Sequence, residues 1–224
     1  MSKLPLIALA LPVLVATGIL APAGATPRNG KVVGGADVVA KDGTKRHDPV
    51  VIYLEDVPGA PAVTDKHAII KQREKQFEPP LTVVVKGTTI DFPNEDKIFH
   101  NVFSVSRPAR FDLGLYKSGA SKSVEMKRAG TVDVYCNIHP DMIAKVKILD
   151  NGYYAITDAA GQFAIDGVPP GKYPIVAWLP SGDEARGTVE VKAGEAVKVA
   201  LEVKAVAGRE AHTRKDGTPY GRYK

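Results

Sequence analysis

Short runs of β-branched and alternating apolar residues recur along most of the chain. They fall at 32–33, 50–54, 67–71, 81–85, 88–92, 102–105, 123–127, 131–136 and 143–149, then at 153–157, 162–165, 173–179, 188–191 and 196–203. Apolar residues at every second position put one side of a strand in a core and the other toward water. Turn-forming pairs punctuate the runs, among them Asp42-Gly43, Lys86-Gly87, Asn151-Gly152 and Pro170-Gly171. No stretch keeps a helical period long enough for a helical domain, and 71–77 would give one helical turn. The pattern predicts an all-β protein of many short strands, as in sandwiches and barrels.

One stretch departs from this pattern. Residues 1–25 hold a single basic residue, Lys3, then an uncharged apolar run, then Ala23-Gly24-Ala25. A positive start, an apolar middle and a small-x-small end are the parts of a secretory signal peptide. Pro5 and Pro12 would each remove a hydrogen bond from a spanning helix, which weighs against an uncleaved anchor. No cysteine follows that could take a lipid, and no later run reaches the ~18 apolar residues of a membrane span. The expectation is a periplasmic or otherwise exported protein, soluble once cleaved, with no stable membrane insertion.

Of the 224 residues, about 200 remain after cleavage, enough for one large domain or two small ones. The formal charge of +5 is unevenly spread. One unit belongs to the signal and three to 206–224, which leaves about +1 on the body between them. Without a basic stripe there, nucleic-acid binding is not expected. Residues 206–224 read as a basic, disordered, solvated tail.

Cys136 is the one cysteine, so no internal disulfide is available to an exported chain. Such a thiol is buried and inert, paired with another chain, or bound to metal. Its surroundings bear on the choice. In 131–136, Val132, Val134 and Cys136 share one face of a strand, the core-facing one. The chain then reads Asn137-Ile138-His139-Pro140-Asp141-Met142, which gathers a thiolate, an imidazole and a thioether within seven residues. Soft sulfur with imidazole suits copper, and two histidines, one cysteine and a weak axial methionine form the blue-copper set. The second imidazole must come from elsewhere, and His100, between Asp91–Phe99 and Asn101-Val102-Phe103, is the candidate. The plainer readings are a strand-end histidine, a structural thiol and a core methionine. His47, His67 and His212 lie outside the pattern and are read as solvated or locally hydrogen-bonded; Met126 is read as core.

Several motifs carry a resemblance. Phe77-x-Pro79-Pro80, Val85-Lys86-Gly87-Thr88-Thr89-Ile90 and Asn94 before His100-Asn101-Val102 resemble cupredoxins of the plastocyanin and amicyanin type. Ala129-Gly130-Thr131 followed by Cys136-x-x-His139-Pro140-x-Met142 is similar to amicyanins in particular, the kind labelled methylamine utilisation proteins. Asp141 stands where amicyanins usually carry an apolar residue. The resemblance covers 66–150. It implies a Greek-key sandwich holding one type 1 copper. His100 and His139 would bind as imidazoles, Cys136 as thiolate and Met142 as the long axial ligand. Asn101 would tie the His100 segment to the Cys136 loop, and electrons would pass through the loop histidine to a redox partner, a dehydrogenase or cytochrome.

A second resemblance lies beyond it. Thr157-Asp158-x-x-Gly161-x-Phe163 and Val168-Pro169-Pro170-Gly171-x-Tyr173 resemble the carboxypeptidase regulatory-like domain, a small transthyretin-like sandwich of the carbohydrate-binding-like fold. That family opens with a hairpin absent just before Tyr153 but matched by 30–40, Asp42-Gly43 and 50–55. The expectation is therefore a sandwich of 30–57 plus 151–205 interrupted by the cupredoxin insertion. Three function classes follow: a one-electron carrier; a copper store, chaperone or sensor; or an adhesion or carbohydrate-binding protein. An enzyme is not expected, since copper oxidases and reductases of this kind need further histidine clusters and no His-x-His occurs.

Overall fold

The structure is a computed structural model that describes residues 28–59, 67–206 and 212–220. The expected signal peptide lies outside the described residues. Among these residues there are eighteen strands and no helix, and none could cross the membrane as an apolar helix. The strands are β1 (Gly30–Val39), β2 (Lys45–Arg46), β3 (Val51–Leu54), β4 (His67–Ile69), β5 (Lys71–Arg73), β6 (Gln76–Glu78), β7 (Leu81–Val85), β8 (Thr89–Pro93) and β9 (His100–Ser104). They continue with β10 (Phe111–Tyr116), β11 (Ser121–Glu125), β12 (Gly130–Cys136), β13 (Ile143–Leu149), β14 (Tyr154–Ile156), β15 (Gln162–Val168), β16 (Gly171–Trp178), β17 (Glu184–Val191) and β18 (Ala196–Lys204).

One sandwich has the sheet β10-β9-β12-β13-β7 facing β11-β8-β4. Phe92, Ile90, Val102, Val132, Val134 and Ile148 fill it, together with Cys136 and Met142. The other has β15-β1-β18 facing β14-β3-β16-β17, over a core that includes Val32, Ile52, Leu54, Phe163, Ile165 and Ile175. In it β1 pairs parallel with β18, and Gly34 faces Val199 so closely that a Cβ would lie 1.8 Å from the Val199 carbonyl oxygen. Strand β3 pairs with β14 and β16. The all-β class of two sandwiches is what these strands form.

Two stretches differ from expectation. Residues 71–77 make the hairpin β5–β6, not a helical turn. Its tip, Glu74-Lys75, has both φ angles positive, at 52° and 58°. Such a turn usually carries Asn or Gly, so the sequence gives no sign of it. Residues 212–220, within the stretch expected to be a disordered tail, fold back on the first sandwich. His212 stacks on Tyr135 with 4.1 Å between ring centroids. Basic composition pointed to solvation, but an aromatic and hydrogen-bonded contact holds the segment.

The sandwiches meet through a third apolar cluster. Ile52 and Leu54 of β3 point into their own core, while Val51 and Tyr53 point outward to join Val176, Trp178 and Leu149. Both faces of β3 are therefore buried, which explains four consecutive apolar residues. Lys147 enters this junction only 7% exposed, its ammonium 4.7 Å from the Trp178 ring centroid and 5.1 Å from that of Tyr53. Burial pushes its pKa down, and the carboxylates of Glu184 and Glu55 recover part of the shift. The folded chain thus holds this proton less tightly than the unfolded one. The cost is complete below the lowered folded value and disappears as pH passes the ordinary lysine value of 10.5. Lys147→Met, which removes the charge and keeps the length, is expected to be at least as stable as the parent at pH 7. Urea unfolding of both proteins should show the gap closing as pH is raised past 10.

Candidate metal centre

Strand β12 ends at Cys136, and its partner β9 begins at His100; Cys136 pairs with Val102 across the ladder. This pairing brings the two residues together from 36 positions apart. Cys136 forms no disulfide and is fully buried, as is His100. After Cys136 the chain turns and returns as β13, and the Met142 amide donates to the His139 carbonyl at 3.2 Å. The turn sets His139 beside the other two. His100 Nδ1 lies 3.8 Å from Cys136 Sγ, His139 Nδ1 lies 3.6 Å from it, and the two ring nitrogens are 3.1 Å apart.

Such separations fit a single ion. Bonds of about 2.0–2.3 Å from nitrogen and sulfur to one metal leave their donor atoms roughly 3–4 Å apart. Among the described residues this is the one cluster of three His, Cys or acidic side chains arranged this way. Met142 is fully buried in the same core as Cys136, and its carbonyl accepts from the Cys136 amide at 3.3 Å.

Asp96 orients the site, and the sequence reading missed it. Its carboxylate accepts His100 Nε2–H at 2.7 Å, which leaves the Nδ1 lone pair aimed at Cys136. The same carboxylate accepts the amides of Glu74 and Lys75 at 2.6 and 2.9 Å. One side chain therefore stabilises the unusual β5–β6 turn and fixes the His100 ring. Burial alone would raise the Asp96 pKa, but the Lys75 amide, His100 and the Glu74 amide outweigh it and the net shift is downward. The only available signal was an acid four residues before His100, in a stretch with three other charges.

Burial, then His100 and Lys75, lower the pKa of His139, so its ring is neutral and able to ligate near neutrality. Asn101 reaches the loop through its backbone: its carbonyl accepts the Asn137 amide at 3.3 Å. Its side chain turns instead to Asp112, 2.7 Å away, and its Oδ1 has no hydrogen-bond partner. His67 lies apart from the site against Asp91, His47 approaches Asp37, and Met126 is core. His212, read as solvated or locally hydrogen-bonded, has Nδ1 3.3 Å from the neighbouring Thr213 carbonyl and also reaches the loop after Cys136, where Nε2 donates to the Pro140 carbonyl at 2.7 Å.

Comparison with known proteins gives three findings. A family model described as polysaccharide lyase family 4, domain II, matches residues 138–199, which span the end of the ligand loop, β13 and much of the second sandwich. No curated protein matches. Among solved structures, the Cu(I) form of an amicyanin variant is 28% identical over 45% of this chain and 99% of its own, with a TM-score of 0.35. A reduced amicyanin variant is 25% identical over 43% and 97%, and an oxidised one 26% over 41% and 95%, both with a TM-score of 0.35.

Asp96→Asn should leave the fold intact but weaken divalent metal binding about 10- to 100-fold, as loss of a ligand-orienting carboxylate does elsewhere. Competition with a chelator of known affinity would measure it.

Proposed function

We propose that the protein binds one copper ion at His100, Cys136, His139 and Met142 and carries single electrons between exported redox proteins. The observation that carries this reading is the convergence of His100 Nδ1, Cys136 Sγ and His139 Nδ1 in a largely buried site. Two imidazoles and a thiolate with a buried methionine beside them are the donors of a blue-copper site. Bound there, copper would supply a one-electron couple.

The chain's own part is to hold these donors still. Cys136 is fixed by the β9–β12 ladder, and His100 by Asp96. A site that resists rearrangement lowers the cost of moving an electron in or out. His139 is half-buried, and Ile98, Phe99 and Leu115 near His100 are exposed apolar residues on which a partner could dock. That exposure favours transfer over storage. Trp178, the one tryptophan, is buried at the junction between the sandwiches and offers no platform to a sugar, which weighs against the carbohydrate-binding alternative.

Within this reading the copper sandwich is an insertion in the other, and the N-terminal 25 residues export the chain. Asn101 supports the site by its backbone carbonyl, and the partner is a redox protein such as a dehydrogenase or cytochrome. Added Cu(II) should turn the purified protein intensely blue and ascorbate should bleach it. Cys136→Ala should abolish the colour, whereas Met142→Leu should keep it and shift the potential. A copper-loaded wild type that stays colourless would remove the electron-transfer reading.

A further inference from the structure

The loop after Cys136 has few hydrogen bonds of its own. Cys136 N donates to Met142 O at 3.3 Å and Met142 N to His139 O at 3.2 Å, while Pro140 has no amide to offer. Three of its acceptors are met from residues 212–220. His212 Nε2 donates to the Pro140 carbonyl at 2.7 Å, the Lys215 amide to Asn137 Oδ1 at 2.9 Å, and the Tyr220 hydroxyl to the Cys136 carbonyl at 2.7 Å. These points bracket His139 on both sides.

The segment that supplies them is itself preformed. Arg214 N donates to Thr218 O at 2.9 Å, and Gly217, with φ at +82°, closes the turn. Tyr220 meets the His212 ring edge-on at 5.0 Å. Lys215 Nζ adds an ion pair of 2.5 Å to Asp112, the residue that receives the Asn101 side chain. Both chain segments that hold the metal ligands are thus tied to one short stretch.

We propose that residues 212–220 are an internal clasp that holds the ligand loop in its metal-binding shape before any metal arrives, and so sets the affinity of the site. The part concerning affinity rests on the copper reading; the part concerning loop order does not. Ordering a loop in advance removes that entropic cost from the binding step. His212 and Tyr220 act here as positioning residues, since neither needs to touch the ion.

The test uses full-length protein carrying both His212→Ala and Tyr220→Phe. Hydrogen–deuterium exchange on the metal-free protein should show the Cys136, Asn137 and Met142 amides exchanging about tenfold faster, the weight of one or two ordinary hydrogen bonds. Amides in β8 and β16 should be unchanged. Competition with a coloured Cu(I) chelator should show affinity weakened by about the same factor. Unchanged exchange in the loop would overturn the clasp, as would faster exchange throughout the body. Faster loop exchange with unaltered Cu(I) affinity would overturn the claim that the clasp sets binding. If the parent takes up no copper, the functional reading fails and exchange alone still decides whether the clasp exists.

Discussion

The whole architecture depends on a strand that must bury both of its faces. Strand β3 cannot reach water on either side, because Ile52 and Leu54 lie in one core and Val51 and Tyr53 in another. Strand β16 does the same with Ile175 and Ala177 inward and Val176 and Trp178 outward. The outer residues need a cover, and β13 supplies it with Leu149 while its alternate residues Ala144, Val146 and Ile148 fill the core of the first sandwich. One strand of the first sandwich therefore adjoins the Cys136–Met142 loop and seals its neighbour. Lys147 is the polar exception there, held against two rings.

A comparable economy governs the site. Asp96 serves a turn and the His100 ring at once, so the β5–β6 hairpin and that ring cannot be displaced independently. Asn101 uses its carbonyl toward the loop and its side chain toward Asp112. The three donor atoms are thus fixed by contacts that run outward into β5, β6, β9 and β10, which is how a small site remains rigid within a thin sandwich.

Much of this was legible in the residues. Strand β13 was read at its observed limits, and the core-facing alternation of Val132, Val134 and Cys136 is seen in their complete burial. The need for a second imidazole followed from residue types, and the choice of His100 from the resemblance carried by Asn94 and His100-Asn101-Val102. What was not legible rests on geometry. Strand β10 was missed because Gly114, at φ +65°, interrupts the alternation with a bulge. The β5–β6 turn was missed because Glu and Lys occupy positions normally held by Asn or Gly, with the stabilising carboxylate twenty-odd residues away. The bonds of Asp96 to the Glu74 and Lys75 amides and those of the 212–220 segment are long-range, and nothing in a local pattern announces those.

The pairing of β1 with β18 has a kinetic consequence. Lys31 lies beside Ala196 in a parallel ladder, with the first sandwich between them in sequence. Joining two ends across so long an unfolded chain is entropically expensive, and parallel pairing of this kind is slow. If the intervening sandwich folds first, it brings residues 67 and 149 into one body and shortens the effective loop. On that order, folding would proceed from the middle of the chain outward. Strand β1 would then wait, unpaired on one edge, until residues 196–204 come to lie beside it.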